Sequence, residues 1–112
     1  MELNLSLENE KVYAGIKITE TGGRKSFDIN QENLNIIGKN IAECVKGVPP
    51  AERDEITLTG ATAIPVYLTA FHAVLHNFHE VKFKNQMFDV SIAKHWFLRG
   101  LGNYFPTPLF FI

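Results

Sequence analysis

Three of the four histidines in this 112-residue chain stand at His72, His76 and His79, four and then three residues apart. On an α-helix that spacing sets all three along one stripe. Just upstream, Gly60-Ala61-Thr62-Ala63-Ile64-Pro65 follows the apolar run Glu55-Ile56-Thr57-Leu58-Thr59. A strand, a turn of small residues and a helix start present outward-pointing backbone N–H groups to an anion. A histidine of near-neutral pKa can move a proton to or from a phosphodiester or the group attacking it. Breaking an RNA-like linkage also needs positive charge or N–H donors at the phosphate. The Gly60-Ala61-Thr62 turn, Lys82, Lys84 and Arg99 could supply these.

Two other readings of the stripe stand beside this one. His72 and His76 have the i, i+4 spacing of the zinc ligands in His-Glu-x-x-His helices. Here Ala73-Val74-Leu75 intervene, the general-base Glu is missing and no Cys lies nearby, so no metal ligand is assigned. The stripe also fits the solvated face of an amphipathic helix. No G-x-S-x-G, Walker loop or G-x-G-x-x-G occurs, and Cys44 falls on the apolar side of a helix as a core residue.

The elements that must position these residues follow from periodicity. Leu3, Leu5 and Leu7 alternate with polar residues, and so do Val12, Ala14, Ile16 and Ile18. Separated by Glu8-Asn9-Glu10-Lys11, they predict a hairpin. Thr21-Gly22-Gly23-Arg24 is a loop, and Phe27 and Ile29 add a short extended piece. Asn30 is a helix N-cap, with Leu34, Ile37, Ile41, Cys44 and Val45 at helical spacing behind it. Gly47 and Pro49-Pro50 end that helix. Glu55–Thr59 is a strand. A second helix is expected from about Ile64 to Asn77, with Pro65 tolerated in its first turn. Val81–Lys84 and Phe88–Ile92 form a hairpin around Asn85-Gln86-Met87. The order β-β-α-β-α-β-β predicts an α/β (α+β) sandwich, with both helices on one face of a mixed sheet.

The chain is one domain by length, residues 1–95, followed by an arm, 96–112, that holds six of the thirteen aromatic residues. So much apolar surface does not stay in water; the arm covers its own sheet or a neighbouring subunit. Residues 1–60 carry seven Lys/Arg against ten Asp/Glu, and residues 61–112 carry four against two. That mild cationic excess suits a small anion and is too thin for duplex DNA. A lone cysteine, no signal-like start and no long apolar run point to the cytoplasm and away from membranes.

With these residues in view, Ile56–His76 resembles a small CRISPR-associated family that accompanies type III systems and degrades cyclic tetra-adenylate, the antiviral second messenger. There, too, an apolar strand ends in Ser/Thr-Gly, a small-residue turn follows, and the next helix carries two histidines four apart. Val81–Met87 falls where the family has a strand leading into an Asp-Pro-Arg-like turn. The resemblance implies a ferredoxin-like fold, a homodimer or homotetramer, and a manganese-dependent nuclease. His76 matches the family's functional histidine and Gly60 the glycine of its ligand-binding turn. The arginine after that glycine is Ala61 here, the aspartate of the following turn is Asn85 and its arginine is Met87. An Asn neither acts as a general base nor carries charge to a metal.

The expectation is therefore a binder of a cyclic oligoadenylate or related short RNA, with weak phosphodiester cleavage left open. His76 would do the acid–base work, and Gly60, Ala61, Thr62, His72, Lys84 and Asn85 would hold the ligand. Manganese enters by resemblance only. The alternative is a non-catalytic interaction module that works through the aromatic arm.

Overall fold

The computed structural model describes residues 1–98 and 103–106. In chain order the strands are β1 Glu2–Asn4, β2 Thr19–Thr21, β3 Arg24–Ser26, β4 Glu55–Thr59, β5 Glu80–Lys84, β6 Asp89–Leu98 and β7 Asn103–Pro106. The helices are α1 Gln31–Lys46 and α2 Ile64–Val74, with a turn of 3-10 helix at Pro50–Glu52.

α1 forms where its caps allow. Asn30 accepts a hydrogen bond from the Asn33 N–H at 2.8 Å, satisfying one orphan donor of the first turn. At the other end Arg53 donates to the carbonyls of Val48 and Lys46, and Pro49-Pro50 forbids continuation. Ile37, Ile41 and Val45, the stripe expected from spacing, are all buried.

Five strands lie in the order β1-β4-β5-β6-β7, and β2 and β3 form a separate hairpin. β1 runs parallel to β4, with Leu3 opposite Leu58, and β4 runs parallel to β5, with Ile56 opposite Val81. β5–β6 and β6–β7 are antiparallel. The two parallel crossovers step the same way across the sheet. Right-handed connections therefore place α1 and α2 on the same face, where they pack on each other. Gly38 permits the approach: a Cβ there would meet the Thr69 methyl at 3.2 Å. Between helices and sheet sits one core that includes Leu5, Val12, Ile41, Ile56, Val66, Val74, Phe78 and Val81.

The mixed sheet with two helices is as expected, and its second half follows the predicted order. The first half does not. Segment 12–18 makes no strand, and β1 pairs with β4 rather than folding into a hairpin with it. The cause is side-chain bonding to backbone. The Asn4 carboxamide accepts the Ser6 N–H at 2.8 Å, and Asn9 holds the Asn4 carbonyl and the Lys11 N–H. Such local bonds turn the chain away from a ladder. Val12 and Tyr13 are adjacent and both buried, which a strand with one solvated face cannot accommodate. The strand hairpin instead closes around Gly22-Gly23, both at positive φ. The sequential order with two parallel junctions also differs from the interleaved antiparallel sheet of a ferredoxin-like fold.

α2 ends at Val74, short of Asn77. The Asn77 N–H bonds the Val74 carbonyl, its carboxamide reaches the Ala73 carbonyl, and Phe78 is drawn into the core. β6 runs across position 95, from Asp89 to Leu98. Where the arm goes beyond Pro106 lies outside the described residues. No helix among the described residues is long and apolar enough to cross a membrane.

Candidate functional site

The carboxyl ends of parallel strands are where open α/β sheets collect ligands, because loops diverge there and helices begin. Here β4 ends in Gly60-Ala61-Thr62 and β5 ends in Asn85-Gln86-Met87. Together with Ile64, Tyr67 and Phe83 they line an open depression of about 700 Å³.

Each wall has a physical origin. Gly60 sits at φ +97°, and a Cβ on it would fall 2.3 Å from the Asn4 Oδ1, 2.6 Å from the Ser6 nitrogen and 2.9 Å from the Leu5 nitrogen. Only glycine lets the turn lie against the end of β1. The Leu5 N–H donates to the Thr59 carbonyl at 2.8 Å and fixes that contact. Two phenols brace the loop from behind. The Tyr67 hydroxyl donates to the Gly60 carbonyl. The Tyr13 hydroxyl donates to the Leu5 carbonyl and so takes its 2.9 Å contact with Thr62 Oγ1 as acceptor. Burial pushes both phenols above their ordinary range, with the Thr62 bond opposing the shift at Tyr13. Both are therefore neutral donors at physiological pH.

The second wall is an Asx turn. Asn85 Oδ1 accepts the N–H groups of Met87 and Phe88, each at 2.7 Å, which leaves its amide nitrogen for a ligand. The Phe83 ring stands edge-on to Tyr67, with centroids 5.2 Å apart, and gives the depression an aromatic wall. The backbone N–H groups of Ala61, Thr62 and Ala63 donate none of the backbone bonds of this turn. α2 begins there with its partial positive end, although Pro65 subtracts one N–H.

The structure thus brings together Gly60, Ala61, Thr62 and Asn85, and separates the rest. Lys84 closes β5 as an exposed neighbour opposite Asp89, outside the lining. His72 is exposed on the last turns of α2, beside a shallow depression shared with Gln31, Asn35 and Thr69. His76 lies in the turn after α2 and lines a different depression with Arg53, Asn77 and His79. α2 is 11 residues long, a rise of about 16 Å, and His76 and Gly60 stand at its opposite ends. The histidine stripe is not continuous, because the helix stops before His76. His79 instead approaches Asp54, Nδ1 to Oδ1 3.8 Å, in the bend that leads to β5.

Spacing alone missed Tyr13, Tyr67, Phe83 and Gln86. Tyr67 is three residues beyond Ile64 and so shares its helical face. Phe83 becomes a site residue only once β5 is known to run parallel beside β4. Among the described residues that line the depression there is no His, Cys, Asp, Glu, Lys or Arg, and the one phenol among them is already bonded. Its chemistry is recognition: backbone N–H groups for an anion, amides for base edges and an aromatic wall for stacking. Among the described residues no three His, Cys, Asp or Glu side chains stand close enough to hold a metal ion. The amide of Asn85 carries no charge to offer a metal ion, so the residues of the depression do not fit a manganese site. Compared with family profiles, curated proteins and solved structures, the chain finds no match.

Proposed function

We propose that the protein binds a cyclic oligoadenylate or a related short RNA in type III CRISPR antiviral defence, as a cytoplasmic homodimer or homotetramer. The system is taken from the resemblance of Ile56–His76. The observation that carries the binding reading is the depression itself. It sets the Gly60-Ala61-Thr62 turn and the Asn85-Gln86-Met87 turn on either side of Tyr67 and Phe83. Phosphate would meet backbone N–H groups at one wall while a base meets the aromatic and amide groups of the other.

Cleavage draws less support. His76, the residue matched to acid–base work, stands at the far end of α2. None of the described residues lining the depression moves a proton near neutral pH. Binding without turnover is the better fit.

The test is titration with labelled cyclic tetra-adenylate, with and without manganese. The expected result is a Kd below about 10 μM (roughly −7 kcal/mol) and no product. Gln86→Ala, which removes an exposed side chain, should weaken binding at least about fivefold, a loss of about 1 kcal/mol. His76→Ala should leave binding unchanged. Absence of binding at 100-fold higher ligand would end this reading.

One observation favours the second reading, an interaction module. Ile64 and Leu68 on α2, Phe88 in the turn before β6, and Val90 and Ile92 on β6 leave apolar side chains exposed, more than an isolated surface carries without reason.

A further inference from the structure

Groups behind the nucleotide seat fix which of its side chains give a proton and which take one. The Tyr13 hydroxyl has one proton, and the Leu5 carbonyl, which can only accept, receives it. The 2.9 Å bond between Tyr13 Oη and Thr62 Oγ1 therefore uses the Thr62 proton. Burial keeps the phenol protonated, so the arrangement holds at physiological pH. Thr62 is half-buried and lines the depression, and it is left with lone pairs and no proton for a ligand. Tyr67 commits its own proton to the Gly60 carbonyl in the same way. The opposite wall is the converse. Asn85 Oδ1 accepts from the Met87 and Phe88 N–H groups. Both partners are donors, which sets the orientation of the carboxamide and leaves Nδ2 with only protons to offer.

A phosphate on the backbone N–H groups of Ala61, Thr62 and Ala63 brings its sugar to the accepting wall. In a 3′-linked ribonucleotide the 2′-hydroxyl stands on the carbon next to the one that carries the phosphate. Thr62 supplies a partner for each: its N–H belongs to the run that meets the phosphate, and its Oγ1 is joined to that nitrogen through Cα and Cβ alone. We infer that Thr62 Oγ1 accepts the proton of a ribose 2′-hydroxyl and so selects ribonucleotides over deoxyribonucleotides, with Tyr13 as the positioning residue that keeps Thr62 in its accepting state. The 2′-hydroxyl is the group by which a protein tells RNA from DNA at a sugar. A threonine free to turn either gives or takes a proton, and the Tyr13 bond removes that freedom. The inference rests on the nucleotide reading of this seat.

The test is titration of the full chain with cyclic tetra-adenylate and with its 2′-deoxy and 2′-fluoro analogues, below the unfolding transition of each variant. The fluoro analogue keeps the sugar pucker of RNA but has no proton to give, so it separates the hydrogen bond from sugar shape. The parent should bind the ribo ligand at least about fivefold tighter than either analogue, as one net hydrogen bond predicts. Thr62→Val should bring the ribo ligand down to the deoxy affinity and leave the deoxy affinity unchanged, and Thr62→Ser should keep the ribo preference. Tyr13→Phe frees the Thr62 proton to turn toward fluorine, so the gap between ribo and fluoro ligands should narrow at least about twofold, a ratio that a loss of stability alone does not move. An unchanged gap in Tyr13→Phe overturns the positioning role. Equal affinity of the parent for the ribo and fluoro ligands, or a ribo preference that survives Thr62→Val, overturns the Thr62 assignment and leaves the nucleotide reading standing. Absence of binding to all three ligands ends the nucleotide reading and this inference with it.

Discussion

Replacing Gly60 with alanine should bring the protein close to unfolding, and the structure says why in two separable parts. The residue occupies φ +97°, a conformation that costs an L-residue roughly 1–3 kcal/mol. The added Cβ would also fall 2.3, 2.6 and 2.9 Å from three atoms at the end of β1. Two of those atoms are backbone nitrogens and cannot swing aside, so the strand end must move. Overpacking of that kind costs about 1–3 kcal/mol more. The sum, about 2–6 kcal/mol, is a large share of the 5–15 kcal/mol that a domain of this size commands. Gly22 supplies the control: it also has positive φ, +60°, but a Cβ there meets nothing within 4 Å. Urea unfolding should therefore show Gly22→Ala losing about 1 kcal/mol and Gly60→Ala losing at least about 2 kcal/mol. Adding Asn4→Ala to Gly60→Ala should recover only a minor part, because it clears one obstructing atom of three. If Gly60→Ala loses no more than Gly22→Ala, β1 does not end against this turn, and the wall of the depression is misplaced.

Tyr13→Phe should cost about 1–3 kcal/mol in urea unfolding, since it leaves the Leu5 carbonyl without its hydroxyl partner. Burial raises the Tyr13 phenol above 10 in the folded state. Its contribution is therefore full below pH 10 and fades as pH climbs through the folded value; unfolding midpoints from pH 8 to 11 should fall less steeply in Tyr13→Phe. Asn85→Asp keeps both acceptor bonds of its turn, so stability should change by less than about 1 kcal/mol. The new charge, about 6 Å from a bound phosphate at an effective dielectric near 40, should weaken binding about tenfold; undiminished affinity in the same titration places the anion elsewhere. Gly38→Ala made together with Thr69→Ser, which removes the methyl that a new Cβ would meet at 3.2 Å, should be more stable than Thr69→Ser alone by about 0.5–1 kcal/mol. A loss in that comparison would mean that the helices cannot accept a Cβ even without the methyl.

The elements legible in the sequence were those whose signals are local. α1 announces itself by Asn30, its apolar stripe and Pro49-Pro50, and the β5–β6 hairpin by alternation around Asn85. The N-terminal hairpin failed because Asn4 and Asn9 look like solvated strand positions until their side chains are seen bonding the backbone. β1 was hidden for another reason: three residues carry no periodicity that reveals a parallel partner. The candidate site divides the same way. Gly60, Ala61, Thr62 and Asn85 sit in turns that composition marks. Tyr67 joins the site through the face of α2 that it shares with Ile64, and Phe83 joins it through strand register. The histidine stripe failed through one boundary, since ending α2 at Val74 sends His76 and His79 into a different corner.

The pairing of β1 with β4 has a kinetic consequence. Glu2 lies opposite Thr57, whereas Glu55 lies opposite Glu80 and Lys84 opposite Asp89. Closing a loop grows less favourable with its length, so the short hairpins β2–β3, β5–β6 and β6–β7 close most readily, the β4–α2–β5 crossover next and the β1–β4 pairing last. β1 thus precedes β4 and β5 in the chain and is the last of the three to find its place. Until it does, the Gly60 turn has nothing to lie against, so the ligand seat comes into being with the final closure of the fold.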